Sequence, residues 1–182
     1  MNTANKITLV RIVMIPLFMV AMLIELPYSR VVALIIFAIA GITDRVDGYV
    51  ARKYNQVTNF GKFIDPIADK LLVTAALIIL VQWGQIPSWA AVIIIAREFA
   101  VSGLRLVAVG EGVVVDAGPS GKVKTVVSIV AICFMLTDFH DAVLISGLLN
   151  VDGLAVFLMV VTTLWSGIEY FIKNRKLLNW NK

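Results

Sequence analysis

Apolar residues fall along this chain in long blocks, without the strict alternation of a half-buried strand. Six blocks can be marked, at 9–26, 31–51, 63–83, 89–109, 123–137 and 154–172. At about 1.5 Å per residue, most are long enough as helices to cross a hydrocarbon core of ~30 Å. Backbone groups in lipid must be satisfied within the segment, so the pattern predicts helices, and the blocks are too long for barrel strands. The fifth block is the weakest, and its lower end could extend into 140–145. Breakers separate the blocks: Pro27 after the first, Gly84 and Pro87 between the third and fourth, Gly118, Pro119 and Gly121 before the fifth. Pro16 falls inside the first block and is expected to bend it. Pro66 is expected about one turn into the third helix, where proline is tolerated.

Composition points the same way. Of 182 residues, 60% are hydrophobic and 15% charged, and mean hydropathy is +0.92, more apolar than a water-soluble core needs. The length suits one domain, residues 1–182, with nothing to spare for a soluble partner domain. The segment 1–6 is short and polar, and no Ala-x-Ala site follows the first block, so a retained span is expected in place of a signal peptide. Cys133 is the sole cysteine, which excludes an intrachain disulfide.

Charge then orients the spans. Lys6, Arg11, Arg52, Lys53, Lys62, Arg105, Lys122, Lys124, Lys173, Arg175, Lys176 and Lys182 gather at one set of block ends. The opposite ends carry Arg30 as their one basic residue, with Glu25, Asp138, Asp141 and Asp152, and these three Asp residues read as solvated loop charges. By the positive-inside rule, both termini face the cytoplasm. The net charge of +4 thus reflects topology, and nothing in it asks for nucleic acid. Trp83 and Trp89 flank the short outer turn, as an interfacial aromatic pair would. The expected architecture is an all-α integral membrane bundle of six transmembrane helices in the cell membrane.

The stretch 41–70 departs from this apolar background. It places Asp44 and Asp47 at the end of the second block and Asp65 and Asp69 at the start of the third, joined by a loop of about ten residues. Spacings of three and four put each pair on one helix face, and a short loop makes the helices antiparallel neighbours. An Asp near the bilayer centre costs ~2.5–3.5 kcal/mol on insertion scales, less toward the interface, and four close together repel one another. Cations would relieve both penalties. Oxygen-only donors suit a hard ion, Mg2+ or Mn2+, with Ca2+ possible, and His140, the sole histidine, lies toward the other side. Gly48, Ala51 and Gly61 leave room beside the acids, and Arg52 could balance a phosphate. A structural network with Arg45, Arg52, Lys62 and Lys70 is the competing reading. It explains one intramembrane pair better than four acids on two faces with small residues between them.

Asp44-x-x-Asp47-Gly48-x-x-Ala51-Arg52, eight residues, then Gly61-x-x-x-Asp65-x-x-x-Asp69 resembles the signature of the CDP-alcohol phosphotransferases, with every position present. The resemblance implies six transmembrane helices, a homodimer, and a cytoplasm-facing site holding two divalent cations on Asp44, Asp47, Asp65 and Asp69, with Asp69 as the base. It also implies a CDP-lipid subsite that includes Asp47, Gly48, Ala51, Arg52 and Gly61. Asn5-Lys6-Ile7-Thr8-Leu9-x-Arg11-Ile12, Asp65-Pro66-x-Ala68-Asp69-Lys70, Arg97-Glu98-x-x-x-Ser102-Gly103-Leu104-Arg105 and Gly121-Lys122-x-Lys124-Thr125 resemble the branch that makes phosphatidylglycerophosphate. The implied reaction joins CDP-diacylglycerol and sn-glycerol 3-phosphate, releasing CMP, among membrane lipids.

An anionic acceptor needs cations. Arg97 and Arg105 are eight apart, roughly on one helix face, and Arg97 is deep enough to require an anionic partner. Glu98 adjoins it, but neighbouring helical residues point about 100° apart, so the pairing does not follow from sequence. Lys122 and Lys124 open the fifth helix, where free N–H groups favour phosphate. Arg97, Arg105 and Lys122, with Thr8 and Arg11, are the candidate acceptor set; headgroup contact is the alternative for Lys122, Lys124 and Arg105. Lys173, Arg175 and Lys176 read as a cytoplasmic anchor. Inositol phosphate, serine or phosphatidylglycerol could replace glycerol phosphate in the same chemistry. An ion-coupled transporter using the buried acids is the other class, but its carboxylates would sit at the midplane between repeated elements, and no repeat is evident.

Overall fold

The computed structural model describes residues 3–24, 26, 28–53, 59–110, 113, 115, 118–137, 143–145 and 149–175; within these, the side chains of 3–8, 44–53, 59–66, 69, 143–145 and 149 are not described. Six helices run through the described residues: α1 Thr3–Leu23, α2 Ser29–Lys53, α3 Asn59–Gln82, α4 Ser88–Gly110, α5 Pro119–Met135 and α6 Val151–Lys173. Each covers one of the six apolar blocks. The connection from α2 to α3 is shorter than expected, because polar residues on both sides of it continue the helices. Pro66 therefore lies about two turns inside α3, where its missing N–H leaves the Lys62 carbonyl without its helical partner. Helix α1 continues through Pro16 as one element.

The lower end of the fifth block is not helical. Helix α5 stops at Met135, and Val143–Ile145 instead pairs antiparallel with Leu149–Asn150 in a two-stranded ladder before α6. Helix α6 is then capped by the Asn150 side chain, which accepts from the Gly153 N–H at 2.7 Å. Asp152 in the first turn is buried, contrary to the solvated loop charge expected of it. A carboxylate at that position is favoured by the positive end of the helix dipole. Asp138 and Asp141 lie outside the described residues.

Two compact units can be described. The first comprises Met1–Trp83 and Cys133–His140, the second Gly84–Ile132 and Asp141–Lys182. In the first, α1 packs on both α2 and α3, which also touch each other. Ile15, Phe18 and Met22 form the buried stripe of α1, and Ala33, Phe37 and Ala40 that of α2. The rings of Phe18 and Phe37 meet at 5.8 Å. These positions recur at intervals of three and four, the spacing of one helix face. In the second unit α4 packs on α6, with Val101, Leu104 and Tyr170 as a buried cluster.

Outward faces are also apolar. Val10, Val13, Leu17 and Val20 on α1, and Phe157, Trp165 and Ile168 on α6, are exposed. Among the described residues, α6 is long and apolar enough to cross a membrane; Leu9–Leu23, Ser29–Thr43 and Lys70–Gln82 are shorter apolar stretches. Helices α2, α3 and α4 are full length, but acids or Arg97, Glu98 and Arg105 interrupt their apolar runs. The Gly84 turn between α3 and α4 has φ +76, a conformation glycine adopts without a Cβ penalty.

Candidate functional site

Both ends of the α2–α3 pair can be tied down. The Arg30 guanidinium, near the start of α2, stacks over the Trp83 ring at 4.7 Å, just past the end of α3. At the other end, six Cα steps from Lys53 to Asn59 span about 20 Å at most. The helices therefore run antiparallel. Asp47 is six residues before the end of α2 and Asp65 six after the start of α3, each about 9 Å along its axis. Asp44 and Asp69 are nine and ten residues in, about 14–15 Å. Counted along the chain, Asp47 and Asp65 thus lie equally far from the α2–α3 connection, with Asp44 and Asp69 each about one turn further in.

The side chains of Asp44, Asp47, Gly48, Ala51, Arg52, Gly61, Asp65 and Asp69 lie outside the described residues, as does that of Thr8. Among the described residues no group of three acids, histidines or cysteines could hold a metal. Arg11 on α1 is 1% exposed and is engaged by a partner.

The second unit gathers the other candidates at one end, where the C-terminal half of α4, the start of α5 and the end of α6 come together. Arg97 lies midway along α4, with its Nη1 donating to the Glu98 carboxylate at 3.3 Å. Adjacent residues do pair here, because the guanidinium is long enough to curl around the helix. Its aliphatic part passes Gly167 of α6, where an added Cβ would stand 3.2 Å from Cγ, and its Nη2 end approaches Gly121 of α5, where a Cβ would stand 3.8 Å away. The two glycines let α5 and α6 flank this arginine.

Lys124 was not part of the acceptor set read from sequence, and its setting is distinctive. It is 3% exposed and bonds the same Glu98 carboxylate, itself 24% exposed. Glu98 thus joins two cations from two helices, which sets aside headgroup contact as Lys124's role. The Lys-x-Lys spacing held the signal: residues two apart on a helix point some 200° apart, so Lys122 and Lys124 cannot share an environment. Lys122 is exposed.

Arg105 is also exposed, and its Nε donates to the Tyr170 hydroxyl at 3.2 Å, with the guanidinium carbon 5.5 Å from the ring centroid. Tyr170 is missed by a search for charge, since it sits in an apolar block of sequence. Glu98 offsets one of the two positive charges of Arg97 and Lys124, and Arg105 stands exposed further along the same helix, so this end of the unit keeps a positive charge that can take up an anion.

A family model described as CDP-alcohol phosphatidyltransferase matches residues 1–165. The chain is 49% identical to a CDP-diacylglycerol–glycerol-3-phosphate 3-phosphatidyltransferase of Bacillus subtilis, over 97% of each chain. Proteins of the same name match from Haemophilus influenzae, at 35% identity over 93% of this chain and 91% of the relative, and from Rickettsia bellii, at 37% over 93% of each.

Proposed function

The chain belongs to the CDP-alcohol phosphatidyltransferase family, and we propose that it transfers the phosphatidyl group of CDP-diacylglycerol to sn-glycerol 3-phosphate, giving phosphatidylglycerophosphate and CMP. The observation that carries this reading is the complete acidic signature, borne by the two antiparallel helices α2 and α3 on either side of their short connection. The names of the relatives support the acceptor, and so does the basic end of the second unit, which suits a phosphorylated alcohol better than serine.

Asp44, Asp47, Asp65 and Asp69 would hold two divalent cations, Mg2+ or Mn2+, whose chemistry there is to neutralise the pyrophosphate and the charge that builds on CMP. The donor set fits: hard carboxylate oxygens, on two helices that the backbone holds side by side. Gly48, Ala51 and Gly61, lacking bulk, leave space for the CDP-lipid beside Asp47, and Arg52 balances its phosphates. Asp69 accepts the proton of the acceptor hydroxyl as that oxygen bonds to the lipid-side phosphorus and the bond to CMP breaks. This is a single displacement without a phosphatidyl-enzyme, in which positioning supplies much of the rate. Arg97, Arg105 and Lys122 bind the acceptor phosphate, with Thr8 and Arg11 as the candidates on α1, and Glu98 and Lys124 fix Arg97.

Residues 1–182 work as one domain, in six spans with cytoplasmic termini and a cytoplasm-facing site, as a homodimer among membrane lipids. The one-sided basic residues and the apolar outward faces support the topology. The testing experiment is release of CMP from CDP-diacylglycerol in detergent micelles, with glycerol 3-phosphate, inositol phosphate or serine added in turn. Release should follow glycerol 3-phosphate; faster release with another acceptor would overturn the assignment. Arg105→Ala should raise the acceptor KM at least tenfold with the CDP-lipid KM within twofold; equal loss on both substrates would remove Arg105 from the acceptor set.

A further inference from the structure

Tyr170 holds one nitrogen of a cation that the acceptor would need, yet it is neither charged nor part of any motif in the chain. Its ring is 7% exposed, packed with Val101 and Leu104 and edge-on to Phe171 at 6.5 Å. A ring so enclosed cannot swing away, so its hydroxyl is a fixed point. Onto that point Arg105 donates Nε at 3.2 Å, while the ring supports the guanidinium from 5.5 Å. Arg105 itself is exposed and has a long flexible stem. Without an anchor it would sample many rotamers, and each binding event would have to order it.

We propose that Tyr170 is a positioning residue for the acceptor, fixing Arg105 so that its two Nη nitrogens form the edge offered to the phosphate. The inference rests on reading Arg105 as an acceptor-phosphate ligand. An arginine has two edges for bidentate pairing, Nε with one Nη, or both Nη together. With Nε committed to Tyr170, side-on pairing is closed and the end-on edge is left.

The test uses the full chain in detergent micelles, with glycerol 3-phosphate varied at saturating CDP-diacylglycerol. Tyr170→Phe keeps the buried ring and the cation–π contact and removes only the hydroxyl, so thermal stability should hold. The acceptor KM should rise about three- to tenfold, the scale of one ordinary net hydrogen bond, since the exposed guanidinium can replace the lost partner with water. The kcat and the CDP-lipid KM should stay within twofold. In an Arg105→Lys background, which has no Nε, Tyr170→Phe should add nothing, an outcome that a merely structural tyrosine would not give. An acceptor KM unmoved by Tyr170→Phe, or an undiminished further rise on top of Arg105→Lys, overturns the proposal while Arg105 keeps its role. If Arg105→Lys and Arg105→Ala both leave the acceptor KM unchanged, the reading of Arg105 fails first and the proposal with it.

Discussion

Glu98→Gln is the sharpest perturbation of the cluster on α4 and α5. Its carboxylate pairs with both Arg97 and Lys124, whose side chains are 13% and 3% exposed. Breaking a buried ion pair from one side costs about 3–5 kcal/mol, because a charge is left without compensation. Glu98 is itself 24% exposed, so water tempers the loss, and a charged hydrogen bond of about 1.5–3 kcal/mol sets the lower bound. We expect about 2–3 kcal/mol, or a fall in Tm of about 4–12 °C for a chain of this length. A thiol-reactive fluorogenic dye can follow unfolding through Cys133, the sole cysteine. Lys124→Met removes the charge that Glu98→Gln would strand, and the methionine fills the same space. The double variant should therefore lose at least about 1 kcal/mol less than the two single variants combined, where independent sites would add within about 0.5 kcal/mol. Strict additivity, or a Tm for Glu98→Gln within about 1 °C of the parent, would refute the shared carboxylate.

Gly167→Ala gains about 1 kcal/mol of helix propensity but sets a methyl 3.2 Å from Arg97 Cγ. The arginine must shift by a few tenths of an ångström, and the acceptor KM should rise severalfold in steady-state assays. Gly121→Ala, with its nearest contact at an ordinary 3.8 Å, should move that KM by less than twofold. EDTA should abolish turnover, and Mg2+ or Mn2+ should restore it where Zn2+ does not, as oxygen-only donors dictate; CMP release that survives chelation would count against the cation site. Lys122→Gln should raise the acceptor KM less than Arg105→Ala does, since a flexible ammonium offers no bidentate edge; a larger effect would reverse their ranking.

The helices were legible because block length and breakers report a property of the whole segment, insensitive to neighbours. Their ends were not, since Lys53 and Asn59 are polar residues that prolong a helix as readily as they leave it. The ladder at Val143–Ile145 escaped because a short apolar run suits strand and helix equally. For the site, spacing and the cost of acids in lipid singled out the Asp residues, and charge singled out Arg97, Arg105 and Lys122. What could not be read was which charges cancel. That Glu98 reaches both Arg97 and Lys124 depends on how α5 meets α4, and the Tyr170 hydroxyl depends on how α6 meets α4. Both are tertiary facts about residues 26 and 65 positions apart.

Radiolabelled CMP released from CDP-diacylglycerol by the intact chain and by Asp69→Asn, with Mg2+ present and glycerol 3-phosphate added or withheld, tests the central claim most directly. The account predicts release only with the acceptor present, matched mole for mole by phosphatidylglycerophosphate, and a loss of at least a thousandfold in Asp69→Asn while the variant still folds. Turnover in Asp69→Asn within tenfold of the parent would contradict it.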